Sequence, residues 1–146
     1  MTAWIKKNSL VSYFVLAYAI SWAFMFTLAA SHRGWIEIKV PYSLHYLASF
    51  GPMLSALIIS SITAGGAGVR KLLSGLFIWR VPLRYYAFAV LGPIALFIFA
   101  VLLSRLVTGA WPDLLLLGEA DYLGNIGIPA VLLLWFLTYG LGEEVG

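Results

Sequence analysis

Four long apolar runs leave this chain few possible folds. They cover approximately Leu10–Ala30, Leu44–Ala64, Tyr85–Val107 and Ile126–Leu141. A helix that crosses a bilayer needs about 20 consecutive, mostly apolar residues. Of the 146 residues, 62% are hydrophobic and only 10% are charged, whereas soluble domains have about 25% charged residues. Because so few charges cannot cover a water-facing surface, the sequence predicts an integral membrane protein.

None of the four runs alternates apolar and polar residues as a half-buried strand would. The predicted fold class is therefore all-α: a polytopic membrane protein of about four transmembrane helices, all within one unit that covers residues 1–146. We place the spans over residues 10–30, 44–64, 85–107 and 126–146.

A cleaved signal peptide is the alternative interpretation of the first run, since Lys6 and Lys7 precede it and small residues follow it. The apolar core of a signal peptide has about 7–15 residues, whereas this run has 21. A retained span is therefore favoured.

Proline and cysteine usage adds two constraints. The pairs Gly51-Pro52 and Gly92-Pro93 lie inside the second and third runs and predict kinks or local unwinding there. Pro129 lies near the start of the fourth run, where a helix accepts proline. The chain has no cysteine, which excludes disulfides, zinc–thiolate sites and thiol nucleophiles.

The distribution of basic residues predicts the orientation in the membrane. Six lie in the N-terminal tail and in the loop 65–84, namely Lys6, Lys7, Arg70, Lys71, Arg80 and Arg84. Three lie on the other side, namely Arg33, Lys39 and Arg105. The positive-inside rule then places the N-terminus in the cytoplasm. This placement explains the net charge of +3, so we expect membrane lipids, and not nucleic acid, as partners.

Two adjacent carboxylates, Glu143 and Glu144, follow the fourth run. If that helix starts near Ile126, Glu143 lies about 25 Å along it, at 1.5 Å per residue, within a hydrocarbon core about 30 Å thick. Such a buried pair suits general-base chemistry near neutral pH. The alternative is that Gly140 and Gly142 end the helix early and that both glutamates are solvated.

Three stretches resemble the CAAX-protease and bacteriocin-processing (CPBP) family of intramembrane proteases. "YGLGEEVG" is similar to the start of the family's first motif, Glu-Glu-x-x-x-Arg, often written GEE-[IVL]-x-W-R. "SFGPMLSALI" resembles its second helix, which contains Gly-Pro, and "GVRKLLSGLFIWRVPLRYYAFAVLGP" resembles its basic loop and the start of its third helix. The resemblance covers most of the chain but only the N-terminal half of the family's domain.

The resemblance implies a truncated CAAX-protease-like helical bundle in a cell membrane, expected to be the bacterial plasma membrane. The implied activity is endoproteolysis of a membrane-associated peptide or a prenylated protein. Glu143 would match the acid that activates the attacking water, and Glu144 its supporting neighbour. The resemblance leaves metal dependence open: zinc would be a candidate, but catalytic zinc usually has three protein ligands, and two carboxylates alone do not supply them.

Several family features have no counterpart in residues 1–146. The arginine of the first motif would fall at position 148, and the second and third motifs are Phe-x-x-x-His and His-x-x-x-Asn/Asp. His32 and His45 fit neither pattern and are interpreted as loop or interface residues. We therefore expect this chain alone to be inactive.

Two non-proteolytic functions remain as alternatives. A non-enzymatic scaffold or bacteriocin-immunity protein would use small residues for close helix packing. A proton-coupled transporter would need acids at mid-depth in several spans, and the first three runs contain none.

Overall fold

The computed structural model describes residues 2–145 and is mostly helical. The helices are α1 (Thr2–Lys7), α2 (Ser9–His32), α3 (His45–Ala48), α4 (Gly51–Ser74), α5 (Leu83–Thr108) and α6 (Ile128–Trp135), which continues as a π-helix over Phe136–Glu143. Short 3₁₀ turns cover Tyr42–Leu44, Gly75–Phe77 and Leu114–Gly118. The described residues form two compact units: 2–76 together with 118–145, and 77–117.

Three segments are long and apolar enough to cross a membrane. They are α2, with 24 residues, the segment Tyr42–Phe77, with 36, and α5, with 26. In α5, apolar side chains face outward on every side, and Leu106 is 82% exposed. A helix that is apolar all round requires an apolar environment. The prediction of a helical membrane protein is confirmed to this extent.

The fourth predicted span is shorter than expected. We placed it over residues 126–146, but the apolar helix covers Ile128–Glu143. Pro129 lies in its first turn, as predicted. The count of four spans therefore stays a prediction.

The two Gly-Pro pairs have different consequences. At the first, α3 ends at Ala48 and α4 begins at Gly51, so the predicted interruption is present. Pro52 lies in the first turn of α4, where the missing N–H costs no helical hydrogen bond. At the second, α5 continues through Pro93 as one helix.

A second break lies inside α4, at Gly65. Its backbone angles, φ 62° and ψ −154°, lie in a region that is essentially restricted to glycine. The apolar run was predicted to end at Ala64, in agreement with this break. The following residues were predicted as a loop, but they resume a helix that reaches Ser74.

Small residues hold α2 against α4 in the first unit. Ser55 is fully buried, and its hydroxyl donates to the carbonyl of Tyr13 at 2.7 Å. The Ser21 hydroxyl donates to the carbonyl of Ala48 at 2.7 Å. A Cβ atom on Gly51 would lie 2.8 Å from the carbonyl oxygen of Ala17. Close backbone approach of this kind is common between membrane helices, and here it fixes the α3–α4 junction.

A short antiparallel hairpin departs from the all-α prediction. Strands β1 (Glu119–Ala120) and β2 (Gly124–Asn125) are joined by a turn in which Tyr122 adopts φ 63°. The hydroxyl of Tyr46, in α3, donates to the backbone carbonyl of Asp121 at 3.2 Å. The hairpin is thereby attached to α3 within the first unit.

Candidate functional site

The helix that carries the two glutamates does not end at its glycines. It continues through Gly140 and Gly142 as a π-helix and ends at Glu143, and Glu144 caps it with α-helical backbone angles. The alternative in which these glycines end the helix early is therefore wrong. π-helical turns are rare and are often found at functional sites.

One face of this helix is packed inside the first unit. Its buried residues are Val131, Thr138, Gly142 and Val145. Their burial defines the packed side of this helix. Burial of Val145, directly after the two acids, holds the end of the helix in place.

Gly142 makes the closest contact of this face. A Cβ atom at Gly142 would lie 2.7 Å from the carbonyl oxygen of Ser49 and 3.2 Å from its Oγ atom. Ser49 is itself buried, and its hydroxyl donates to the carbonyl of Tyr46 at 2.7 Å. Gly142, the residue before Glu143, therefore lies directly on the α3–α4 junction. Its contact there, Ser49, immediately precedes Phe50-Gly51-Pro52.

Both Glu143 and Glu144 are exposed. Glu143 directly follows the buried Gly142, and Glu144 directly precedes the buried Val145, so each acid is next to one residue of the packed face. Neither carboxylate is covered by the residues that the structure describes, and a carboxylate that contacts a water molecule can act as a general base toward it.

The two histidines lie in an aromatic cluster that does not include the glutamates. His32 ends α2, and its ring stacks on Tyr42 with 3.6 Å between ring centroids. Tyr42 stacks in turn on Tyr122 at 4.6 Å, and His45 meets Tyr122 edge-on at 5.6 Å. His32 ends α2 and His45 begins α3, so neither is a loop residue, and their place at a membrane interface stays a prediction.

A catalytic metal does not fit the residues that are present. Among residues 2–145, no group of three or more His, Asp or Glu side chains is placed to hold a metal ion. Glu143 and Glu144 alone supply fewer than the three protein ligands that catalytic zinc usually has.

Sequence reasoning did not identify Ser49 or the π-helix. Ser49 directly precedes the Phe-Gly-Pro segment, so its position near a helix break could be predicted from the sequence. Its contact with Gly142 joins residues 93 positions apart in the chain, and no local pattern reveals such a contact.

Three comparisons were made, with protein-family models, with curated proteins and with solved structures. No family model, no curated protein and no solved structure matches this chain.

Proposed function

We propose that this chain provides the first acidic motif of an intramembrane endopeptidase of the CPBP type. One observation carries the proposal: an apolar helix ends in two adjacent carboxylates, and its π-helical last turn is fixed against a Gly-Pro helix start. The substrate class would be a membrane-associated peptide or a prenylated protein.

In this proposal the two acids have different roles. Glu143, which matches the first acid of the motif, takes the proton from the water that attacks the scissile carbonyl. Glu144 holds a neighbouring group by hydrogen bonding. The arginine and the two histidine motifs that would complete such a site have no counterpart in residues 1–146, so another segment must supply them.

A non-enzymatic scaffold, for example an immunity protein, is the second candidate. The observation that favours it is the close α2–α4 packing, in which Gly51 and Ser55 contact backbone carbonyls of α2. Such packing builds a stable helix pair whether or not the acids act in catalysis.

The proposal predicts that the 146-residue chain alone does not cleave peptides. Loss of members of a catalytic unit that act together typically lowers the rate by several orders of magnitude. We expect no cleavage of a prenylated CAAX peptide by the purified chain. We expect cleavage when the chain is extended by a segment that carries the arginine and both histidine motifs.

These outcomes separate the two candidate functions. An extended chain that folds but never cleaves any membrane peptide favours the scaffold. Cleavage by the 146-residue chain itself would show that the proposed catalytic set is wrong.

We also propose four spans with the N-terminus in the cytoplasm, because the basic residues divide six to three between the two sides. Single cysteines can be introduced at Ser9 and Asp121 of this cysteine-free chain and labelled in sealed vesicles of known orientation. Residue 121 should react only from the outer side. Reaction of residue 121 only from the cytoplasmic side would reverse the topology.

A further inference from the structure

Four basic residues of the first unit lie at the same end of its helices. Lys6 and Lys7 form the last turn of α1, and α1 contacts α4. Arg70 and Lys71 lie in the part of α4 that follows the break at Gly65. All four side chains are exposed. We call this group, Lys6, Lys7, Arg70 and Lys71, the basic surface.

Packing of Leu72 and Gly68, in the second half of α4, leaves the neighbouring Arg70 and Lys71 exposed. Leu72 is half-buried and lines a cavity of about 280 Å³ together with Ser9 and Leu10, at the start of α2. A Cβ atom on Gly68 would lie 2.7 Å from the carbonyl oxygen of Ser60. The segment is thus folded back onto the first half of α4, and Arg70 and Lys71 remain outside.

An open, shallow groove lies directly beside these two bases on the surface of α4. It has a volume of about 630 Å³ and is lined by Gly66, Ala67, Arg70, Lys71 and Ser74. Two cationic residues thus lie beside small residues, and the Ser74 hydroxyl donates to the carbonyl of Lys71 at 2.8 Å. Such a groove has room for a phosphate group to approach the backbone.

We infer that the basic surface binds the headgroups of anionic phospholipids. The apolar helices show that this chain belongs in a membrane, and the surface lies beside the start of α2, one of those helices. Each Lys or Arg close to an anionic membrane surface contributes about 1 kcal/mol to binding. Trp4 lies two residues before Lys6 in α1 and is 56% exposed, as expected of an aromatic residue at the membrane interface. This inference does not depend on the proposed protease activity.

The test uses the full 146-residue chain in an uncharged detergent. Dibrominated phosphatidylglycerol or dibrominated phosphatidylcholine is titrated in, and quenching of tryptophan fluorescence reports binding. Subtracting the tryptophan fluorescence of the Trp4→Phe variant from that of the native chain gives the fluorescence of Trp4 alone, the tryptophan in the same helix as Lys6 and Lys7. We expect preferential quenching of Trp4 by phosphatidylglycerol, and we expect salt to reduce the preference because it screens exposed charges.

The double variant Arg70→Gln/Lys71→Gln should lower the preference for phosphatidylglycerol by roughly 10- to 30-fold, at about fivefold per base. The matched control is Arg33→Gln/Lys39→Gln, which removes the same charge from exposed side chains. Arg33 follows the far end of α2, which has 24 residues and is therefore about 36 Å long. The control should keep the preference.

Three results would overturn the inference. One is equal quenching of Trp4 by both lipids in the native chain. A second is an equal loss of preference in the two double variants, because net charge, and not the basic surface, would then explain the effect. A preference that survives in Arg70→Gln/Lys71→Gln would likewise assign these bases to another partner, such as an acidic protein.

Discussion

Under the proposed endopeptidase function, replacing Glu143 by Gln should lower turnover by on the order of 100-fold or more, the usual scale for general-base catalysis. The measurement needs a chain extended by a segment that carries the arginine and both histidine motifs. Gln keeps the size and the hydrogen bonding of the side chain but cannot take a proton from water. Glu143 matches the first acid of the Glu-Glu-x-x-x-Arg motif, and it directly follows Gly142, which is held against Ser49. Turnover of a prenylated peptide by the purified, folded variant is the measurement.

The matched control is Glu144→Gln, one residue along the chain. It removes the same charge from a side chain that is also exposed. We expect a smaller loss of turnover, since a supporting residue acts by holding its neighbours. Near-native turnover in Glu143→Gln would exclude it as the base, and similar losses in both variants would contradict the division of roles.

Replacing Gly142 by Ala should lower the free energy of unfolding by about 1–3 kcal/mol, the usual cost of inserting a methyl group into a packed site. The added Cβ would lie 2.7 Å from the carbonyl oxygen of Ser49. That neighbour is backbone, so relief requires movement of α4 or of the π-helix. Thermal unfolding of the 146-residue chain in detergent measures the effect without any need for activity.

Gly140 provides the matched control, since it lies in the same π-helix. A Cβ atom there would be 3.5 Å from Cδ2 of Phe136, an ordinary van der Waals distance. Gly140→Ala should therefore be neutral or stabilising, by up to about 1 kcal/mol, because alanine favours helix over glycine. Equal destabilisation by both substitutions would show that the contact between Gly142 and Ser49 does not position the acids.

The membrane class and most helix boundaries followed from local patterns. The predicted run Leu10–Ala30 corresponds to α2, Ser9–His32, and the run Tyr85–Val107 corresponds to α5, Leu83–Thr108. Apolar length and the absence of charge act within a single segment, so the sequence alone reveals them. The break at Gly51-Pro52 was also predicted, because proline and glycine influence the backbone locally.

The same local rule did not distinguish the two Gly-Pro pairs. Gly51 begins a new helix where its backbone lies against Ala17 and Ser21 of α2, while α5 continues through Gly92 and Pro93. Identical dipeptides thus have different outcomes. At Gly51-Pro52 the break is in contact with α2. A local sequence pattern cannot reveal that contact, because α2 is a different segment of the chain.

The candidate site shows the same division. The sequence by itself determined that an apolar segment reaches Glu143 and Glu144, since the order of residues fixes their adjacency. Only the tertiary structure decided that the helix passes through Gly140 and Gly142 as a π-helix. Burial of Thr138, Gly142 and Val145 against the first unit outweighs the tendency of glycine to end a helix, because packing energy comes from residues that are distant in the chain.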